Sequence, residues 1–273
     1  MRRELRAIAA ATEPVPRVLR RRRLDVGLTI IGWHRVDTLG EGLSTPLSAF
    51  EEHLDVLDDW GAQVLPLGEA VALLAAGALP PKAVALTFDD GYASVVETAW
   101  PLLRDRGFPA SLFVVSDYLD GDRTFAWDGD GTGRDELRLA TGEELVLAHR
   151  DGLDIGSHTQ THPWLPGLDD RVVERELALS RAVISDLLGE DVTALAYPTG
   201  GWDRRIREAA CRAGYRVGIT VTRGANHRRR AHPLSLRRAF VPHDPVDLEL
   251  MLNGAYTFLR PIDALRGRRG PTE

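Results

Sequence analysis

A chain of 273 residues with a net charge of −6 is long enough to bury one large core and offers nucleic acid no broad basic surface. One cysteine, Cys211, excludes an intrachain disulfide, and its place is expected on the apolar face of a helix. No stretch reaches the ~18 consecutive apolar residues of a membrane span.

Residues 1–24 are rich in Arg and Ala, are interrupted by Glu4 and Glu13, and lead into no apolar run with a small-residue cleavage site. They read as a basic peripheral leader, residues 25–262 as one folded domain, and residues 263–273 as a basic, solvated tail. Cytoplasmic residence is the expectation, with no nucleic-acid partner and no pattern that sets an oligomeric state. Val26 to Trp33 reads as a strand, and Pro46 opens a helix with apolar Leu47, Phe50, Leu54 and Leu57. Val64 to Leu67 reads as a short strand, Glu69 to Ala76 as a helix, and residues 83–88 as a buried strand. A helix is expected from about Ser94 to Arg106, kinked at Pro101, then a strand from Ser111 to Val115. After the long segment Ser116 to Ala140, Thr141 caps a helix to His149, with Glu144 at the capping-box position. Strand 153–157 and a long helix from Asp169 to Leu188, stopped by Gly189, come next. Strand Thr193 to Tyr197, helix Asp203 to Ala213, strand Tyr215 to Thr220, strand Leu236 to Val241 and helix Pro245 to Leu259 complete the chain. Repeated βα units predict an α/β fold with a parallel sheet, as an irregular barrel or an open doubly wound sheet.

Two segments carry the chemistry. Thr87-Phe88-Asp89-Asp90-Gly91 ends an apolar strand, where Gly91 permits a sharp exit and both carboxylates can converge. Ser157-His158-Thr159-Gln160-Thr161-His162 places two histidines four apart beyond another strand, a spacing that one helical turn would bring to one side. No Glu follows His158, so this is not the zinc-protease helix motif. Two imidazoles and one carboxylate suffice for a hydrolytic metal, and the second carboxylate remains as a base.

These segments resemble the first two motifs of the polysaccharide deacetylases, the nodulation-factor deacetylase-like carbohydrate esterases, over about Leu28 to Arg238. The resemblance implies a single-domain distorted (β/α)7 barrel, with Asp89 as catalytic base and Asp90, His158 and His162 as ligands of one divalent ion of the zinc type. Ala196-Tyr197-Pro198-Thr199-Gly200 resembles the third motif and implies that the Thr199 backbone N–H helps to stabilise the oxyanion. The motif's Arg is replaced by Ala196, and Arg237 or Arg238 is the candidate to orient Asp89 in its stead. Two histidines compete as general acid. His34, in Trp33-His34-Arg35-Val36, resembles a segment of the circularly permuted poly-N-acetylglucosamine deacetylase branch, and His243 follows the last strand as the alternative.

The segment from Ser116 to Ala140, with Phe125, Trp127 and Asp128-Gly129-Asp130-Gly131, is expected to overhang the site; Leu139 in place of Glu at the twelfth position argues against a calcium loop. Trp33, Trp127, Trp164 and Trp202 stand near strand ends, as sugar-stacking faces or as core. The implied reaction is hydrolysis of the N-acetyl group of an N-acetylated sugar or oligosaccharide. The alternative substrate is a small metabolite bearing a formamide or cyclic amide, and oxygen chemistry at Fe(II) and a non-catalytic binding module stand behind it.

Overall fold

Apolar alternation places two cores on the two faces of one sheet. The computed structural model describes residues 27–40, 42–121, 123–129, 135–260 and 262–263, so the leader and the tail beyond Asp263 lie outside the described residues. The strands are β1 (Gly27–Trp33), β2 (Arg35–Asp37), β3 (Ser44–Pro46), β4 (Gln63–Val64), β5 (Ala83–Phe88), β6 (Ala110–Val114), β7 (Asp154–Ser157), β8 (Ala194–Ala196), β9 (Val217–Ile219), β10 (Asn226–His227) and β11 (Ala239–Phe240). The main sheet runs β10-β1-β5-β6-β7-β8-β9, with β4 on β5 and β11 on β1, while β2 and β3 pair separately. All its pairings are parallel except β1 with β10.

The seven-strand path curls into a half barrel, and residues 236–240 span the gap between β9 and β1 through the Ile219–Leu236 bridge and the β11–β1 ladder. Among the described residues seven α-helices accompany it: α1 (Leu47–Trp60), α2 (Leu67–Ala76), α3 (Trp100–Asp105), α4 (Gly142–Arg150), α5 (Asp170–Leu188), α6 (Arg204–Arg212) and α7 (Pro245–Leu252). Ile31, Trp33, Val84, Leu86 and Phe88 pack outward against helical residues such as Leu54 and Leu177. Their neighbours Leu28, Ile30, Ala83 and Ala85 form a second, inward cluster with Leu236, against which α2 packs.

Several expectations change. Only Gln63–Val64 is strand, because Leu67 already starts α2. The kinked helix at Pro101 is a π-helical turn, Val95–Ala99, followed by α3 with Pro101 in its first turn, which spares the proline ring an α-helical carbonyl. The last strand shrinks to Ala239–Phe240, and the last helix stops at Leu252 before Gly254 takes φ 74°. Cys211 is exposed, since α6 buries Ile206, Ala209 and Ala210 instead. Trp33 is core, stacked on Phe88 and edge-on to Phe50, and Trp202 is partly buried against the same core. The α4 capping box of Thr141 and Glu144 forms as expected. Among the described residues no helix is long and apolar enough to cross a membrane.

Candidate functional site

The β5 ladder runs one residue past Phe88, where the Asp89 N–H donates to the Trp33 carbonyl at 3.1 Å. Asp89 therefore points inward, as Thr87 does. Asp90 and Gly91 then take φ 73° and 82°, two left-handed residues in succession that turn the next carboxylate towards the same cavity. Such a conformation is strained for Asp90 and is held by its surroundings.

The histidine segment follows a bend, not the helical turn expected. His158 N–H donates to the Val114 carbonyl at 2.8 Å, then Thr159 and His162 take φ 70° and 62°. Buried Glu176 on α5 fixes the bend by accepting the N–H groups of Gln160 and Thr161 at 3.0 and 2.9 Å and the Thr161 hydroxyl at 2.8 Å. His158 Nδ1 donates to the Ala196 carbonyl at 2.7 Å, which leaves the Nε2 lone pair facing the cavity.

Asp90 Oδ1 lies 3.5 Å from Nε2 of both His158 and His162, and one ligand atom from each of the three residues lies within 4.8 Å of the others. Tetrahedral ligands at about 2.0–2.2 Å from zinc stand about 3.3–3.6 Å apart, so both Asp90–histidine separations fit such an ion. Charge supports the fit. Burial, then the charges of Asp89 and Asp128, push the Asp90 carboxyl well above its ordinary range against the opposing charges of Arg238 and Arg35. Burial lowers His158, and burial with the charge of His158 lowers His162 to about 3, which keeps both imidazoles as neutral lone-pair donors.

Asp89 has its cation. Arg238, fully buried just before β11, donates Nη1 and Nη2 to the two carboxylate oxygens and also Nη1 to Thr87 Oγ1 at 3.2 Å. Burial alone would raise Asp89, but Arg238, followed by His158, outweighs it and holds the acid at about 2. Gly32 makes room, because a Cβ there would meet Thr87 Oγ1 at 3.0 Å and the Arg238 side chain at 3.3 Å. Of the two arginines that could stand in for the third-motif Arg at Ala196, Arg238 is therefore the one that orients Asp89, whereas Arg237 lines a separate cavity.

Asp90, His158, His162 and Asp89 line a cleft of about 640 Å³ together with His34, Thr199 and Phe240. His34 stacks on Phe240 at 4.3 Å, and the Arg238 guanidinium lies 4.6 Å from the same ring centre. Burial is the main cause that lowers His34 to about 4; Asp89 opposes it, and Arg238 adds to it. Exposed Thr199 takes φ 53° at the cleft wall. His243 is exposed and is not among the cleft-lining residues.

Sequence reasoning missed the network that anchors the overhanging segment. Arg35 pairs with Asp37 at 2.8 Å and with Asp128 at 2.9 Å, and Asp128 accepts the Tyr92 hydroxyl at 2.6 Å. Asp128 therefore acts as an anchor and not as a calcium ligand. Trp127, half exposed, stacks on Phe125 at 4.2 Å and tilts over His162 at 4.8 Å. Trp164 joins it in the wall. Arg35 and Tyr92 directly follow residues singled out in the sequence, His34 and Gly91; Glu176 had no signal beyond a helix face.

Residues 76–218 match the family model for polysaccharide deacetylase. YxkH of Bacillus subtilis (strain 168), which carries a polysaccharide deacetylase name, is 30% identical over 202 residues, 74% of this chain and 67% of that protein. The poly-beta-1,6-N-acetyl-D-glucosamine N-deacetylase of Escherichia coli (strain K12) is 33% identical over 140 residues, which are 49% of this chain but only 20% of that protein. Among solved structures, the Streptococcus pyogenes deacetylase PplD in complex with acetate superposes with a TM-score of 0.71 at 23% identity, covering 84% of this chain and 99% of that one. IcaB from Ammonifex degensii gives 0.70 at 26% identity, covering 84% and 97%.

Proposed function

Because the chain belongs to the polysaccharide deacetylase family, we propose that it is a metal-dependent hydrolase that removes the N-acetyl group of an N-acetylated sugar or oligosaccharide. The observation that carries this reading is the pairing, in one cleft, of a three-donor cluster with a separate carboxylate held ionised by Arg238. Asp90, His158 and His162 would hold a divalent ion of the zinc type, which would supply Lewis acidity to the acyl carbonyl and lower the pKa of the attacking water.

The protein's own groups handle the protons. Asp89, ionised and oriented by Arg238, takes the proton of the attacking water. His34 enters the reaction neutral, since burial holds it at about 4. It receives the proton from Asp89 and gives it to the departing amine nitrogen, while Phe240 fixes its ring by stacking. The Thr199 N–H stands beside the developing oxyanion, and Trp127 and Trp164 offer apolar faces to the sugar. Products are acetate and a free amine on the sugar.

The test is acetate release from N-acetylglucosamine oligomers before and after chelation, with nucleotide-linked sugars, formamides and cyclic amides as parallel substrates. Release from the N-acetylated sugars that is lost on chelation and restored by zinc is expected. Turnover confined to formamides or cyclic amides, or one indifferent to chelation, would contradict the assignment.

A further inference from the structure

A second charged cavity lies beside α2, at the end of the barrel away from the cleft. There β10 pairs with the first residues of β1, Gly27 with His227 and Leu28 with Asn226, whereas the cleft lies beyond the last, Trp33. The cavity measures about 550 Å³, and Arg229, Arg230, Arg237 and Arg260 surround it over the apolar Leu74 and Leu79. Strand alternation assigns the arginines of one dipeptide to different places: Arg238 turns to Asp89, and Arg237 turns to this cavity. Buried Asn226 fixes Arg237, accepting its N–H at 2.8 Å and donating to its carbonyl at 2.9 Å.

This concentration of cations stands out on a chain of net charge −6. Among the described residues no acid pairs with Arg229, Arg230 or Arg237. Asp263, the acid that acts on Arg260, is itself engaged by Arg223, through Nη1 at 2.6 Å and the backbone N–H at 3.1 Å. Burial, followed by the charges of Arg237 and Arg230, lowers the Arg260 guanidinium from its ordinary value, which marks the crowding of like charges. Arg228 is set apart, because it lies against Gly77 at the C-terminal cap of α2, where the helix end favours a cation. A smaller cavity of about 200 Å³ adjoins through the shared His227 and Arg260 and is walled by Ile30, Met251 and Tyr256.

We propose that the basic cavity binds a phosphoryl group, with Arg237 and Arg260 as the inner clamp and Arg229 and Arg230 at the rim. Arg260 Nε already donates to the Arg223 carbonyl at 3.0 Å and Arg237 Nη1 to the Ala225 carbonyl at 3.5 Å, yet the remaining N–H groups of four guanidiniums exceed what the two oxygens of a carboxylate can accept, whereas a phosphate dianion or a diphosphate offers enough oxygens and charge. The phosphoryl group belongs either to a free phosphorylated molecule or to a lipid headgroup whose apolar part reaches the adjoining cavity.

Two binding arms on the full chain distinguish these sources: calorimetric titration with inorganic pyrophosphate, and co-sedimentation with phosphatidylcholine vesicles prepared with and without phosphatidylglycerol. Saturable, salt-sensitive binding is expected in at least one arm, weakened about tenfold in the double variant Arg229→Gln/Arg230→Gln, as befits the removal of charge-assisted hydrogen bonds. Both rim residues are exposed, so the variant should fold, and its acetate release should match the parent's. Absence of saturable binding in both arms, or binding that the double variant leaves unchanged, would overturn the proposal.

Discussion

On the Arg238 side of the cleft a buried carboxylate is held at about 2, whereas on the histidine side the next residue's carboxylate is pushed well above its ordinary range, although both side chains are almost fully buried. Burial penalises both anions, and the partner makes the difference. Asp89 receives two guanidinium hydrogen bonds; Asp90 faces two imidazoles that burial keeps neutral, with Asp89 beside it. One carboxylate thus has its counter-cation within the protein, and the proposed ion would supply that of the other. Two adjacent residues of one type acquire separate chemical uses through their neighbours.

The strongest way to break this division is to remove a ligand. His158→Ala should reduce both bound zinc and acetate release to background, measured by metal analysis after dialysis and by turnover of the same sample. Arg238→Met acts on the other side. It leaves the Asp89 charge buried without its partner, at an expected cost of about 3–5 kcal/mol in a denaturant melt. The same variant shifts the pH dependence. A base must be deprotonated, and without Arg238 burial raises Asp89, so the acidic limb of the rate profile moves to higher pH. The stability sign agrees: a depressed carboxylate contributes above its unfolded value of about 4 and loses that contribution as pH falls towards 2, a window that Arg238→Met should erase.

His34→Ala should lower turnover by roughly 10²-fold with zinc retained, and the loss should be smallest for substrates with a good leaving group. His243→Ala should leave both unchanged, which sharpens the choice between the two candidates. A smaller effect than that of His34→Ala is expected from Glu176→Gln, which weakens the support of the histidine bend without touching a ligand atom. Roughly tenfold weaker zinc binding, read by competition with a chelator, is the expected outcome.

Much of this site was legible because its parts are local. Asp89, Asp90 and Gly91 sit where an apolar run must end, and Thr141 with Glu144 announces its helix within four residues. Arg238 was legible only as one of two adjacent candidates, since choosing between them needs the strand phase across a ladder with β1. The left-handed turns at Asp90, Thr159 and His162 are not set by residue type alone, and the four-residue spacing of His158 and His162 imitates a helical turn. Glu176 and the Arg35–Asp128–Tyr92 network depend on contacts between distant segments, for which periodicity carries no signal.

The division of labour between Asp89 and Asp90 is the central claim, and Asp89→Asn tests it most directly when zinc content and acetate release are measured on one preparation. The account predicts parental zinc content with turnover lowered by at least about 10³-fold. Loss of zinc in step with activity would show that Asp89 is a ligand and that the two carboxylates are not divided as base and metal donor.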